Sequence, residues 1–570
     1  MFRKNQKHTQ PALISAIRDL PEKQRERLDQ SWAGAFYRDF FCRIDEGIFE
    51  VLYSDQPSRP NIPINVMVGL DAMKSGFGWS DEELYENFLF NLQVRYALGL
   101  DRLGDGEFEI RTLYYFRQRL SIYNNKEGVN LLEKVFEALT DKQLVELKVR
   151  AGIQRMDSTQ IASNILDASR LQLLVEGVRR LHRIASEDEQ KQLAELFGSF
   201  TKESSGHYAY RVKGKEATKE HLRRVGEALV ALLQALAPKH QDEVEYKTVN
   251  RLVENNYNII ENVVKAKENE ELTSGCLQSL DDLEATFRRK QQEEYKGYVA
   301  NVTETCDPEN ELQLITKIQV APNNIADDKL LKEALPDLKE RTGLETLYTD
   351  GGYPSASNDV ELQKQSVRLI QTGIRGSSPD PEHFSLVDFQ IEQNNEGEPV
   401  RATCPNGQTT EVTLSRKVGY FARFPEAVCS ICPFQLSKRC RAKPQVRDKR
   451  YFIDFVKKEM QAAERRKDYL TQRKSAHNLR SAVEATVRSI KHPFPAGKLP
   501  VRGKFRMFCM VIASAMFINL RRISRFRNKK SQNLAENETL VSFCSYLKQS
   551  FEHVWAPFWD LTPKYSDFLQ

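Results

Sequence analysis

Between Glu484 and Glu536 the chain has no aspartate or glutamate, although twelve lysines and arginines fall in that interval. Residues 438–535 carry 27 basic and 6 acidic side chains, while the whole chain of 570 residues is only +5. That polarity excludes an evenly mixed surface and points to a polyanion bound along one region. The opening Met1-Phe2-Arg3-Lys4-Asn5-Gln6-Lys7 lacks the apolar segment of a secretory leader. Long apolar runs are missing too. The longest mostly apolar one, Met507 to Leu520, has 14 residues and reads as a buried core helix rather than a membrane span. Cysteine is sparse and odd in number, nine in all, which argues for reduced thiols or a metal site over a disulfide framework. These absences predict a cytoplasmic protein with no membrane partner. Its length suggests three or four units of about 150 residues.

The acid that closes the basic tract lies in His477-Asn478-Leu479-Arg480-Ser481-Ala482-Val483-Glu484-Ala485-Thr486-Val487-Arg488-Ser489-Ile490-Lys491. This reads as a helix that stops at His492-Pro493, because a residue before proline avoids helical angles. His477, Arg480, Glu484, Arg488 and Lys491 recur at helical steps and share one face. Leu479, Val483, Val487 and Ile490 form the opposite, inward stripe. A surface helix with an Arg480–Glu484 salt bridge would satisfy this pattern. So would a metal-binding acid set among phosphate contacts.

Taken in order, residues 1–146 read as an all-helical N-terminal domain. Pro63 opens one helix, and Ser80-Asp81-Glu82-Glu83 is a capping box that opens another. A glycine-containing connection from Gly99 to Gly106 precedes a helix with Arg117 and Arg119 beside aromatics. That layout suits a helix-turn-helix-like DNA reader or an ordinary bundle with surface arginines. Residues 147–165 turn to strand and contain Asp157-Ser158-Thr159. Residues 166–292 return to helical spacing, including Val244 to Ile260 and Leu277 to Phe287, and read as an insertion. Residues 293–376 give two strands, Gly297 to Cys306 and Glu311 to Val320, then a helix from Ala326 to Arg341. A strand follows, Leu344 to Asp350, stopping at Gly351-Gly352, and then another at Val367 to Ile374. An acid before such a glycine turn is well placed for a site, because glycine lets a ligand approach the backbone.

Residues 377–450 form a small β-rich insertion with Cys404, Cys429, Cys432 and Cys440. Cys429-x2-Cys432 is half of a tetrahedral zinc site, and Cys404 in Cys-Pro-Asn-Gly supplies a third thiolate. Cys440 lies further off than a usual second pair, so four reduced thiols in a β-rich module remain the alternative. Residues 451–530 hold the Glu484 helix and a final core helix, and 531–570 a peripheral tail.

Arg480-x3-Glu484-x6-Lys491 resembles the Y-x2-R-x3-E-x6-K signature of insertion-sequence transposases with an RNase H-like DDE core. His477 stands where that family has tyrosine. The resemblance implies that Glu484 is the third catalytic acid, with Asp157 in D-S-T the first and Asp350 in T-D-G-G-Y the second. It implies an α/β fold: an RNase H-like mixed-sheet core with an all-helical N-terminal domain, a helical insertion and the cysteine-containing β-rich insertion. His477, Arg480, Arg488 and Lys491 would face DNA. The implied cofactors are two magnesium or manganese ions on Asp157, Asp350 and Glu484; structural zinc on the cysteines is suggested by their spacing alone. The implied partner is double-stranded DNA, transposon ends and target, bound by a homodimer in a bacterial cytoplasm, on the nucleoid when engaged. Two other readings stay open: an RNase H-like nuclease that only hydrolyses DNA, and a catalytically idle DNA-binding descendant.

Overall fold

The computed structural model describes residues 1–9, 15–56, 60–102, 104–261, 263–290, 292–373, 380, 382–394, 397–415, 419–445, 449–473, 479 and 482–559, with backbone alone at 472–473 and from 533 onward. The chain is a mixed α/β protein with a helical N-terminal region. Its principal helices there are α1 (Ile64–Phe77), α2 (Asp81–Phe90), α3 (Ile110–Glu127) and α4 (Leu131–Glu146). Pro63 caps α1, and Ser80 with Glu83 forms the expected capping box of α2. Helix α1 ends at Gly78, whose φ of +75° suits glycine; a Cβ there would lie 2.0 Å from the Pro493 carbonyl oxygen.

The central sheet is built from β1 (Ile153–Ala162), β2 (Thr286–Lys290), β3 (Glu293–Thr305), β4 (Ile315–Pro322), β5 (Thr346–Thr349) and β6 (Arg368–Gln371). β1 pairs antiparallel with β3 and parallel with β5, β3 pairs antiparallel with β2 and β4, and β5 runs parallel to β6. Between β1 and β2 lie α5 (Arg170–Ile184), α6 (Lys215–His240) and α7 (Val244–Asn256), with their own apolar core. Two expectations fail in this stretch. The helix from Val244 stops at Asn256, and Tyr257–Ile260 forms a hairpin with Val263–Ala266. The run from Leu277 to Phe287 is irregular and then becomes β2. Leu277 and Leu280 both enter the insertion's core, so burial in a loop mimicked a helical spacing.

Between β4 and β6 the chain forms α8 (Asp327–Thr342) and α9 (Ala356–Lys364). A second sheet, in the order β11-β12-β10-β9-β8-β7, contains β7 (Gln390–Gln393), β8 (Pro399–Thr403), β9 (Thr409–Ser415), β10 (Gly419–Phe424), β11 (Lys443–Pro444) and β12 (Tyr451–Phe455). Then come α10 (Lys457–Arg473), α11 (Val483–Lys491) and α12 (Lys504–Trp559).

Helix α12 joins the two halves of the protein. Met507, Val511, Ala515 and Phe517 share one apolar cluster with Phe36 and Met73 of the helical region and with Tyr298, Val302 and Ile318 of the sheet. Lys504–Gln532 is long and apolar enough to cross a membrane by length and composition, yet 67% of its apolar window is buried inside the protein. That burial makes it a core helix here. The segment expected to be a peripheral tail continues as helix to Trp559, and 560–570 lie outside the described residues.

Candidate active site

Asp157 and Asp350 come to the same end of the sheet. β1 and β5 are parallel neighbours paired Ile153 to Thr346, Gln154 to Leu347 and Arg155 to Tyr348. Carried two residues further, that register sets Asp157 level with Asp350. β5 has already ended at Thr349 while β1 continues along β3 to Ala162, so a gap opens beside Asp157 at the carboxyl end of β5, where open parallel sheets bind ligands. Strand alternation turns Met156 into the core beneath α8, leaving Asp157 on the opposite face with Arg155.

Backbone amides fix both carboxylates. Asp157 Oδ1 accepts from the Ser158 N–H at 3.0 Å, and Asp350 Oδ1 accepts from the Gly352 N–H at 2.8 Å. A third acid, passed over in the sequence, joins them. Asp327 opens α8, and its Oδ1 accepts from the Ser158 hydroxyl at 2.8 Å. A Cβ on Gly352 would lie 2.9 Å from Asp327 Oδ2 and 3.1 Å from Asp350 Oδ1, so only glycine leaves room for both. Beneath them the buried Tyr353 phenol donates to Asn301 Oδ1 at 2.7 Å. Burial first, then Asp327, Asp157 and Asp350, hold that phenol well above its ordinary pKa, so it remains a neutral donor. The only local sign of Asp327 was an acid at the first turn of a helix following a strand, which capping alone explains.

Glu484 lies on α11, which packs over β1. Val483 and Ile490 are buried and Val487 partly so, as the apolar stripe predicts; Glu484 and Arg488 face solvent. The helix is anchored by a buried charge. Glu304 on β3, directly opposite Arg155, is fully buried and accepts from Arg155 Nε at 2.7 Å, the Thr486 hydroxyl at 2.8 Å and Arg522 Nη1 at 2.8 Å. Arg522 also donates to Thr486, and Arg155 Nη1 reaches the Leu479 carbonyl at 2.6 Å. One carboxylate thus ties β1, β3, α11 and α12 together two residues from Asp157 and two from Glu484. Among the described residues, no three His, Cys, Asp or Glu side chains stand close enough to share one metal ion.

Residues 403–524 match the family model described as transposase DDE domain, and residues 25–119 match a transposase domain (DUF772). Both matches are to transposase domains and support an insertion-sequence DDE transposase. The reaction of that family is phosphoryl transfer on DNA. No curated protein and no solved structure matches the chain. Glu484 and the four cysteines fall inside the DDE match, whereas Asp157 and Asp350 fall outside both matches.

The remaining expected site residues are dispersed. His477 and Arg480 lie outside the described residues. Lys491 is half-buried, and burial lowers the pKa of its amine. In the helical region Arg117 is engaged internally, with Nη2 2.6 Å from Asp71 Oδ1 and Nη1 2.7 Å from Asp81 Oδ1. That arginine is therefore a structural ion-pair member. Arg119 stacks over the Tyr53 ring at 5.0 Å. Cys404, Cys429, Cys432 and Cys440 line one small cavity in the second sheet's module.

Proposed function

We propose that this transposase cuts DNA at the ends of its element and joins the freed 3′-hydroxyl to target DNA, with Asp157, Asp350 and Glu484 as its catalytic acids. What supports this reading is the register that carries Asp157, within β1, level with Asp350 just past the end of the parallel neighbour β5, beside the anchored helix of Glu484. With β2 and the two insertions set aside, the order strand, strand, strand, helix, strand, helix, strand, with an acid-bearing helix after it, is that expected of an RNase H-like core and supports the same reading.

Hydrolysis places water on the scissile phosphorus, forms one P–O bond and releases the strand's 3′-oxygen. Transfer repeats the displacement with that 3′-hydroxyl as nucleophile on a target phosphodiester. Carboxylate oxygens are the hard donors that magnesium or manganese prefers, so Asp157, Asp350 and Glu484 fit such ions in chemistry, although they are not closed around one in this arrangement. Two such ions, when bound, would polarise the phosphate and stabilise attacking and leaving oxygens. The chain's own share is orientation. The Ser158 and Gly352 amides hold two of the carboxylates, Asp327 accepts from the Ser158 hydroxyl beside Asp157, and the Glu304 cluster sets α11 over β1. Arg488 and Lys491 supply phosphate contacts on the Glu484 helix, and two copies would hold double-stranded DNA, one at each end, in a bacterial cytoplasm.

Linear duplex carrying the element's ends, incubated with magnesium and a target plasmid, tests the assignment. Wild type is expected to yield 3′-hydroxyl ends and joined products. Asp157→Asn, Asp350→Asn and Glu484→Gln should each bind the ends and produce neither. Cleavage without any joined product would favour a purely hydrolytic nuclease, and full cleavage by one variant would remove that residue from the site.

A further inference from the structure

We propose that Cys404, Cys429, Cys432 and Cys440 form a structural four-thiolate zinc site that locks the second sheet's module. The four thiols come from three separate turns. Cys404 follows β8 and opens a tight hairpin in which its N–H donates to the Gln408 carbonyl at 2.8 Å and the Gly407 N–H returns to its own carbonyl at 2.9 Å. Cys429 ends the short helix Glu426–Cys429, and Cys432 caps the next one, Pro433–Leu436. The Cys440 N–H donates to the Phe434 carbonyl at 3.0 Å. All four side chains line a cavity of about 20 Å³, whose remaining wall includes Phe384, Phe424 and Phe434.

This corner lies at the margin of the module's core, against which Phe384, Cys404, Cys429 and Cys440 are only partly buried. The two short helices bury no residue; Ile431 between them is 75% exposed, and Leu436 on the second is 69% exposed. Four-residue helices are far below the length that sustains itself in water, so propensity alone cannot hold these turns. A metal can, because ligand binding free energy becomes folding free energy. Soft thiolates on a Cys-x2-Cys spacing, joined by two more, select a tetrahedral ion such as zinc over the hard ions suited to carboxylates. As described, no three of the thiols stand at ligating distance, so closing the site requires side-chain rotation toward the shared cavity. The module contributes no acid to the proposed active site, so this site is separable from catalysis.

The test uses the purified full-length protein, reduced and exchanged into metal-free buffer. Elemental analysis is expected to give about one zinc per chain, and the Cys429→Ser/Cys432→Ser variant should lose it. Cobalt exchanged into wild type should show the charge-transfer and ligand-field bands of a tetrahedral thiolate site, a readout that does not depend on a variant folding. Chelation should expose the chain around 426–439 to protease while leaving cuts elsewhere unchanged. Wild type with negligible zinc and no cobalt spectrum would overturn the proposal. So would zinc retained by the double variant, or a visible iron–sulfur chromophore in fresh protein.

Discussion

Thr486→Val tests whether the buried charge cluster, rather than apolar packing alone, holds the Glu484 helix in place. Valine keeps the shape of a side chain that is 1% exposed but removes the hydroxyl that donates to Glu304 and accepts from Arg522. A hydrogen bond to a charged group contributes about 1.5–3 kcal/mol. Glu304 keeps two guanidinium partners, so the low end applies: about 1.5 kcal/mol, or roughly tenfold in the population of an opened helix. Hydrogen exchange read by mass spectrometry is the assay. Peptides covering 483–491 should lose about tenfold in protection, while those covering α1 stay unchanged. Cleavage should survive, because the helix would still be closed most of the time. Glu304→Gln is the harsher form, since it leaves the 9%-exposed Arg155 side chain without its carboxylate. Breaking a buried pair costs about 3–5 kcal/mol, and here both exchange protection and cleavage should collapse. Unchanged protection in both variants would refute the anchoring argument.

Three further outcomes are expected. Asp327→Asn should keep DNA-end binding and slow cleavage by roughly tenfold, the worth of one charge-assisted bond from Ser158 beside Asp157 to the start of α8; an unchanged rate would make Asp327 merely a helix-start acid. Burial, opposed by Lys317 and reinforced by Glu137 and Asp337, lifts the Glu133 carboxyl from 4.5 to about 7. Its folded pKa exceeds the unfolded one, so stability is full below about pH 4.5 and declines as pH rises through about 7. Glu133→Gln should flatten that decline in melting temperature between pH 5 and 8, and an identical slope in both proteins would count against it. Arg488→Ala and Lys491→Ala should each lower the salt dependence of DNA binding by about one phosphate contact, and a slope equal to wild type would take that residue off the DNA.

Local chemistry was readable in the chain itself. Ser80 and Glu83 announced a capping box, Gly351-Gly352 announced the end of the strand before Asp350, and the Val483–Ile490 stripe announced the buried side of α11. These signals act within one turn or one strand, where sequence neighbours are also spatial neighbours. Pairing was a different matter. β2 exists because Thr286 to Lys290 meets Glu293 to Gly297, a choice the preceding leucine spacing concealed. The sharing of one core by the N-terminal helices, the sheet and α12 came from contacts between residues hundreds of positions apart. Asp327 and Glu304 looked like ordinary acids among 79. What sets them apart is which hydroxyl, amide or guanidinium faces them, and a buried charge is tolerated only where such partners converge. That convergence is a property of the folded chain: sequence marked the positions that can carry charge and form strands, and tertiary packing decided which of them share a site.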